Sequence, residues 1–267
     1  MKNYWKQIVA SVIVVTAVVA CSTVPITGRK QINLLPSSQM TEMALTNYKS
    51  FLDSAKISID KANTALVKKV GGKIAAAVEK YMKDNGLESE LQYFSWEFNL
   101  VEDNTPNAWC MPGGKVVFYT GILPFTKDEA GIAVVMGHEI AHAIARHGNE
   151  RMSQQMGVQA VAAGLQVALS EKPEQTQALY MGAFGLGAQY GMLLPYSRTH
   201  ESEADKMGLV FMAMAGYNPE VAVDFWTRMA QGGSSVPEFL STHPSDDTRI
   251  QNIKAFLPKA KSYMPAQ

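Results

Sequence analysis

Apolar residues recur at spacings of three and four along most of this chain, and that pattern divides it into helices. Ser37 or Ser38 can cap a first helix running to about residue 55, with Met40, Met43, Ala44, Tyr48, Phe51 and Leu52 on one face. Asp60 can cap a second, to about residue 85, whose stripe is Leu66, Val70, Ile74, Ala77, Val78 and Tyr81, with Gly86 as its stop. From residue 91 to 101 the period changes to two: Phe94, Trp96, Phe98 and Leu100 alternate with Tyr93, Ser95 and Glu97, which predicts a strand. After a turn at Asn104-Thr105-Pro106, residues 107–114 lead to a second strand over 115–120. Pro112, Gly113 and Gly114 make that segment an edge or a bulge. The run 132–141 is apolar on nearly every side and so predicts a buried helix, opened by a Thr126-x-x-Glu129 capping box and continuing to about residue 151. Two runs rich in Ala and Gly, 158–169 and 178–194, flank the polar residues 171–175. They predict a buried helical hairpin that can cover a site, in preference to membrane contact, with Pro195 breaking the second helix. Asn218-Pro219 opens a further helix with Val221, Phe225, Trp226 and Met229 as its apolar set. Residues 232–235 read as a flexible break, and residues 258–267 as a loose tail. The fold class is therefore α+β and mostly helical, with a small edge-strand sheet and a helical hairpin insertion.

The N-terminus follows a different pattern. Lys2 and Lys6 precede an uncharged apolar run, 8–20, that is short for a bilayer span and reads as a signal peptide over residues 1–20. Its end, Val18-Val19-Ala20-Cys21, resembles the lipobox of bacterial lipoproteins. That resemblance implies cleavage before Cys21 and lipidation of its thiol, with residues 21–36 as a tether and residues 37–257 as a single domain. Ser22 in place of Asp implies the outer membrane. Loss of Lys2 and Lys6 from 24 basic residues leaves 22 against 24 acids, a net charge of −2. No basic stripe suggests nucleic acid. Cys110 is the other cysteine, so the mature fold rests on no internal disulfide, and Cys110 reads as a small buried residue.

The chemistry sits in His138-Glu139-x-x-His142. On a helix the two imidazoles share a face and can aim at one metal ion, while the neighbouring carboxylate reaches the same place without being a ligand. Two His and a Glu in an apolar helix need partners, and a metal provides them. His147, five residues beyond His142, turns off that face and reads as a supporting or surface residue. Gly148 occupies the place where metzincins carry a third His, which excludes that class. A third protein ligand is required, with one position left open for water. Ser197-Arg198-Thr199-His200-Glu201-Ser202-Glu203-Ala204-Asp205 offers Glu201, with Asp205 one turn on to orient a ligand His. Spacing alone does not rank Glu201 above His200 or Glu203.

His138-Glu139-x-x-His142, a long insertion and then Glu201-x-x-Ala204-Asp205 resembles the CAAX-prenyl-protease and HtpX-type family of gluzincin metallopeptidases. Asn107-Ala108 with Pro112-Gly113-Gly114 resembles the segment before that family's zinc helix, and His243-Pro244 with Arg249-Ile250 its C-terminal signature. With the lipobox and no clear membrane spans, the chain is similar to the LoiP and BepA-like envelope lipoprotein branch. The resemblance covers about 105–255 and implies a zincin-like (gluzincin) fold and one zinc ion per chain on His138, His142 and Glu201. It makes Glu139 catalytic, and His243 a catalytic oxyanion donor or an occupant of the open coordination position. It makes Asp205 and Arg249 the supporting residues, and places substrate along Asn107, Ala108 and Trp109, where an edge strand can pair with an extended peptide. The implied function is a zinc endopeptidase acting on unfolded or misassembled envelope proteins, held to the bilayer through Cys21 and facing the periplasm. The alternative is a chaperone-like factor of the outer-membrane assembly machinery with a latent zinc site.

Overall fold

The computed structural model describes residues 21–231, 243 and 247–265. The signal peptide expected over 1–20 and the break expected over 232–235 lie outside these residues. The chain divides into two compact units, residues 1–36 with 146–199 and residues 37–145 with 200–267, rather than the single domain expected over 37–257.

In the first unit, residues 21–36 carry structure where a tether was expected. β1 (Cys21–Thr23) pairs antiparallel with β2 (Lys30–Ile32). The turn between them is tight enough to need positive φ at Ile26 and Gly28. Arg29 holds both carboxylate oxygens of Glu150, at 2.8 and 2.6 Å, and Ser153 Oγ accepts from the Leu34 amide at 2.9 Å. These bonds fix the N-terminal hairpin to the helix carrying residues 147–169, which explains its order without a large apolar core of its own.

The second unit holds α1 (Ser37–Ser54) and α2 (Lys61–Asp84), whose N-terminal amide at Asn63 is capped by Asp60 as its sequence predicts. Val67, rather than Leu66, continues the buried stripe of α2. The strand expected over 91–101 is shorter: residues Glu88–Tyr93 wind as a 3₁₀ helix, and β3 is Glu97–Val101. β4 (Ala108–Met111) and β5 (Lys115–Tyr119) form a hairpin, and β5 also pairs parallel with β3. The sheet order β3-β5-β4 leaves β4 at an edge among the described residues. The predicted capping box at Thr126 does not form. A single turn ends at Thr126, Lys127 adopts φ 65°, and Asp128 caps α3 (Glu129–Ile144) by accepting from the Gly131 amide at 2.8 Å. Glu129 instead binds Lys69, Lys73 and the Tyr217 hydroxyl. Helix α3 ends seven residues before residue 151, because Arg146 turns left-handed (φ 59°) and opens a new helix.

That helix is α4 (His147–Leu169), followed by α5 (Glu174–Ala188), a π-turn (Gln189–Leu193) and α6 (Leu194–Met214). Pro195 does not break the run: the widened turn just before it takes up the missing amide and the crowded ring. The helical hairpin is present, but α5 has no buried residue, so the expectation of a buried hairpin is corrected. His147, in contrast, is buried and not a surface residue. α7 (Val221–Gln231) buries Ala222, Phe225, Trp226 and Met229. α8 (Asp247–Lys261) runs past the expected domain end at 257, with Ala260 fully buried, so residues 258–261 are helix where a loose tail was expected.

Candidate metal centre

All the converging groups belong to the second unit. Helix α3 brings His138, Glu139 and His142, and α6 brings Glu201 and Asp205. The two helices approach at Gly137 and Gly208, where a Cβ on Gly137 would lie 2.8 Å from the Gly208 carbonyl oxygen and one on Gly208 2.8 Å from the His138 nitrogen. Only glycines allow backbones this close. The approach sets the two helices' chemistry on one centre.

At that centre His142 Nε2 lies 3.1 Å from His138 Nε2 and 3.2 Å from Glu201 Oε1. His138 Nε2 lies 3.3 Å from Glu201 Oε2 and 3.1 Å from His243 Nδ1, which in turn is 2.9 Å from Glu201 Oε2. Four side chains thus offer donor atoms within 4.8 Å of one another. Glu201, and neither His200 nor Glu203, joins this group, although all three are buried.

Behind the donors, Asp205 Oδ1 lies 3.0 Å from His138 Nδ1. A carboxylate only accepts, so Nδ1 carries the proton and Nε2 presents its lone pair to the centre. Arg249 grips Asp205 with two bonds, Nε to Oδ2 at 2.8 Å and Nη2 to Oδ1 at 2.7 Å, and its Nη1 lies 3.4 Å from Glu201 Oε2. The guanidinium lies 3.4 Å over the Trp226 ring, whose edge-on partner is the His138 ring at 5.7 Å. Trp226 read in the sequence only as part of an apolar stripe. Gly137 and Gly208 were missed as well, although a glycine inside an apolar helix is a signal, since it costs about 1 kcal/mol unless something needs it.

The donor set fits a divalent cation. Around a tetrahedral zinc with ligands at about 2.0–2.1 Å, neighbouring ligand atoms are about 3.3 Å apart, close to the 2.9–3.3 Å found here. Lone pairs facing one another at these distances repel unless a cation lies between them. The charges agree: Glu139, Glu201 and Asp205 bring three buried carboxylates against the single guanidinium of Arg249, and such an excess needs a cation. For His138, burial works against the charged ring, but the Asp205 and Glu201 carboxylates outweigh it and raise its pKa to about 9, so the centre favours positive charge at Nε2, which a metal ion supplies in place of a proton. Burial pushes Glu201 up, and the three surrounding imidazoles pull it well below the usual carboxylate range. Asp205 is likewise pushed up by burial and held low by Arg249 and His138. Burial raises Glu139. Its Oε1 is buried without a hydrogen-bond partner among the described residues, with His243 Nε2 3.6 Å away.

The sheet edge lies close by. Cys110 on β4 has its thiol pKa raised by burial and then by the neighbouring Glu139 carboxylate. Trp109 packs edge-on against Phe51 and Tyr48, at 5.0 and 6.2 Å between ring centroids, so its side chain belongs to the core. Asn107 Oδ1 caps the Ala108 amide at 2.9 Å, and Ala108 is buried. This edge therefore presents backbone more than side chains.

A family model describes proteins with this arrangement: peptidase family M48 matches residues 69–257. The chain belongs to that family. Mitochondrial metalloendopeptidase OMA1 of Saccharomyces cerevisiae is 33% identical over 235 residues, 84% of this chain and 66% of that protein. The protein of the same name from Schizosaccharomyces pombe is 37% identical over 177 residues, 65% of this chain and 50% of that protein. The putative beta-barrel assembly-enhancing protease of Vibrio cholerae is 31% identical over 176 residues, 63% of this chain and 35% of that protein. The chain thus spans from about a third to two thirds of the length of these relatives. The mostly helical, zincin-like metallopeptidase fold expected from the sequence is the fold of this family member. The relatives are both mitochondrial and bacterial, so family membership alone does not select the envelope branch.

Proposed function

We propose that this chain is a zinc endopeptidase of a bacterial cell envelope that hydrolyses peptide bonds of unfolded or misassembled proteins. The observation that carries the reading is the convergence of His138, His142 and Glu201 beside the unpartnered carboxylate oxygen of Glu139. Bound there, zinc supplies Lewis-acid polarisation of a peptide carbonyl and a water activated at neutral pH. Glu139 is placed to take a proton from an attacking water and to return it to the leaving amine. Burial raises its proton affinity. Asp205 fixes the tautomer of His138, and Arg249 fixes Asp205. The edge of β4 pairs with an extended substrate through the backbone of Asn107, Ala108 and Trp109. The envelope location is supported by the lipobox-like residues 18–21 and by the likeness to beta-barrel assembly-enhancing proteases of Vibrio cholerae and Yersinia pestis. In this reading Cys21 carries the lipid that holds the chain to the outer membrane, facing the periplasm.

One observation favours a second reading. His243 Nδ1 stands in the donor set itself, where it can close the fourth coordination position. A site closed this way is latent, and the chain then acts as a chaperone-like factor of the outer-membrane assembly machinery. Casein cleavage that rises in His243→Ala supports the closed site, whereas a fall assigns His243 to oxyanion stabilisation. The peptidase reading itself is tested by Glu139→Gln, which keeps zinc and loses casein cleavage. Full activity in that variant excludes the mechanism.

A further inference from the structure

The helical pair of the first unit carries no charged side chain from residue 152 to 170, and none from 175 to 197. Arg151 and Arg198 lie at one end, and Glu171, Lys172 and Glu174 at the connection. These helices are not buried: Val167 is 75% exposed, Leu179 71% and Leu186 63%. Helices facing water carry charges on the outer face, and these do not. Gly157, Gly164, Gly182 and Gly185 face open space, so close packing of a neighbouring helix does not account for their small residues. No described helix is long and apolar enough to cross a membrane.

The root of the pair is tied to Cys21. One pocket is lined by Cys21, Gln31 and Ile32 of the N-terminal hairpin together with Glu150 and Gln154 of α4 and Tyr196 of α6. Gln31 Oε1 and Gln154 Nε2 are buried there without hydrogen-bond partners among the described residues. The residue at which the apolar run 8–20 ends is thus held at the base of the uncharged helices. Tyr180, Tyr190 and Tyr196 are exposed along them, and tyrosine favours the lipid–water boundary.

We propose that α4 and α5 lie on the surface of the lipid bilayer, with their uncharged exposed surfaces among the headgroups and first acyl carbons. This deepens the reading of Cys21 as a membrane anchor and rests on it. Because the faces lack charge, the contact is hydrophobic, forms on zwitterionic lipid and is insensitive to salt.

The test uses the full chain in a Cys110→Ala background, with Cys21 either lipidated or changed to Ser, reconstituted with phosphatidylcholine vesicles. An environment-sensitive fluorophore is placed at Leu179→Cys, at Leu186→Cys and, as a control on α2, at Asp84→Cys. Lipids brominated near the headgroup should quench the labels at 179 and 186 about twofold, in high and low salt alike, and leave the label at 84 unchanged. Labels at 179 and 186 that stay in water on vesicle-bound protein overturn the proposal. So does shielding that is indifferent to brominated lipid and fades on dilution, which indicates a second copy of the chain. The mass of the Cys21 peptide reports anchoring independently. A native chain whose Cys21 peptide carries no lipid refutes the anchor, whereas labels that remain in water on vesicle-bound protein refute the surface.

Discussion

The Gly137–Gly208 approach gives the sharpest structural prediction. Ala at position 208 would gain about 1 kcal/mol in helix propensity if the site were open. It is not open: the new Cβ would lie 2.8 Å from the His138 nitrogen and 2.9 Å from the Gly137 carbonyl carbon. An ordinary contact needs about 3.5 Å, so the helices must part by at least about 0.7 Å. Both groups are backbone and cannot rotate away, so the cost falls in the upper part of the range of about 1–3 kcal/mol for overpacking. Gly208→Ala should therefore lose about 1–2 kcal/mol net. Because the same shift separates His138 from Glu201, it should also lower casein cleavage at least about tenfold. Gly148→Ala is the matched control. It is an exposed helical glycine with nothing within 4 Å, and it should gain about 0.5–1 kcal/mol with unchanged activity. Urea denaturation midpoints, zinc content and casein cleavage measure all three effects. A Gly208→Ala chain as stable and active as the wild type refutes the argument that this crossing sets the site.

Removing Asp205 or Arg249 leaves the metal donors in place but frees the His138 ring. Asp205→Asn and Arg249→Gln should each weaken zinc binding about 10–100-fold in a competition titration, and unchanged affinity counts against the orienting role. Glu129, bound by Lys69, Tyr217 and Lys73, has its pKa lowered from 4.5 to about 2. A depressed carboxylate stabilises the fold fully above its ordinary pKa and loses that contribution as pH falls through about 2. Glu129→Gln should thus cost about 1 kcal/mol at pH 7 after solvent screening and progressively less below pH 4.5, read from urea midpoints at several pH values. A constant difference across that range contradicts the assignment. His243→Ala should retain one zinc per chain in metal analysis, because His138, His142 and Glu201 remain. Loss of the metal would make His243 an essential ligand.

Features governed by local rules were legible in the sequence. The Asp60 cap, the stripes of α1 and α2 apart from the exposed Met43 and the unburied Leu66, and the pairing of His138 with His142 each depend on neighbours within a turn or two. Thr126 and Pro195 show where local rules fail. Asp128, two residues on, makes the better cap once Lys127 turns to positive φ, and a π-turn lets the chain helix through Pro195. The distal half of the site was not readable from spacing. Choosing Glu201 over His200 and Glu203 depends on how α6 crosses α3, and that is fixed by Gly137 and Gly208, 71 positions apart. Arg249 and Trp226 join for the same reason, through packing between separate helices. The exposure of α5 was hidden because an Ala- and Gly-rich run carries no periodic stripe from which a buried or an exposed face can be read.

The central claim is that His138, His142 and Glu201 hold a zinc ion on which peptide hydrolysis depends. The measurement that meets it most directly is casein cleavage by the purified full chain before chelation, after chelation and after zinc is restored, with the metal counted at each stage. One zinc per chain, loss of cleavage on its removal and recovery when it is returned are the expected results. Cleavage that survives complete removal of the metal, or a folded chain that takes up no zinc, would contradict it.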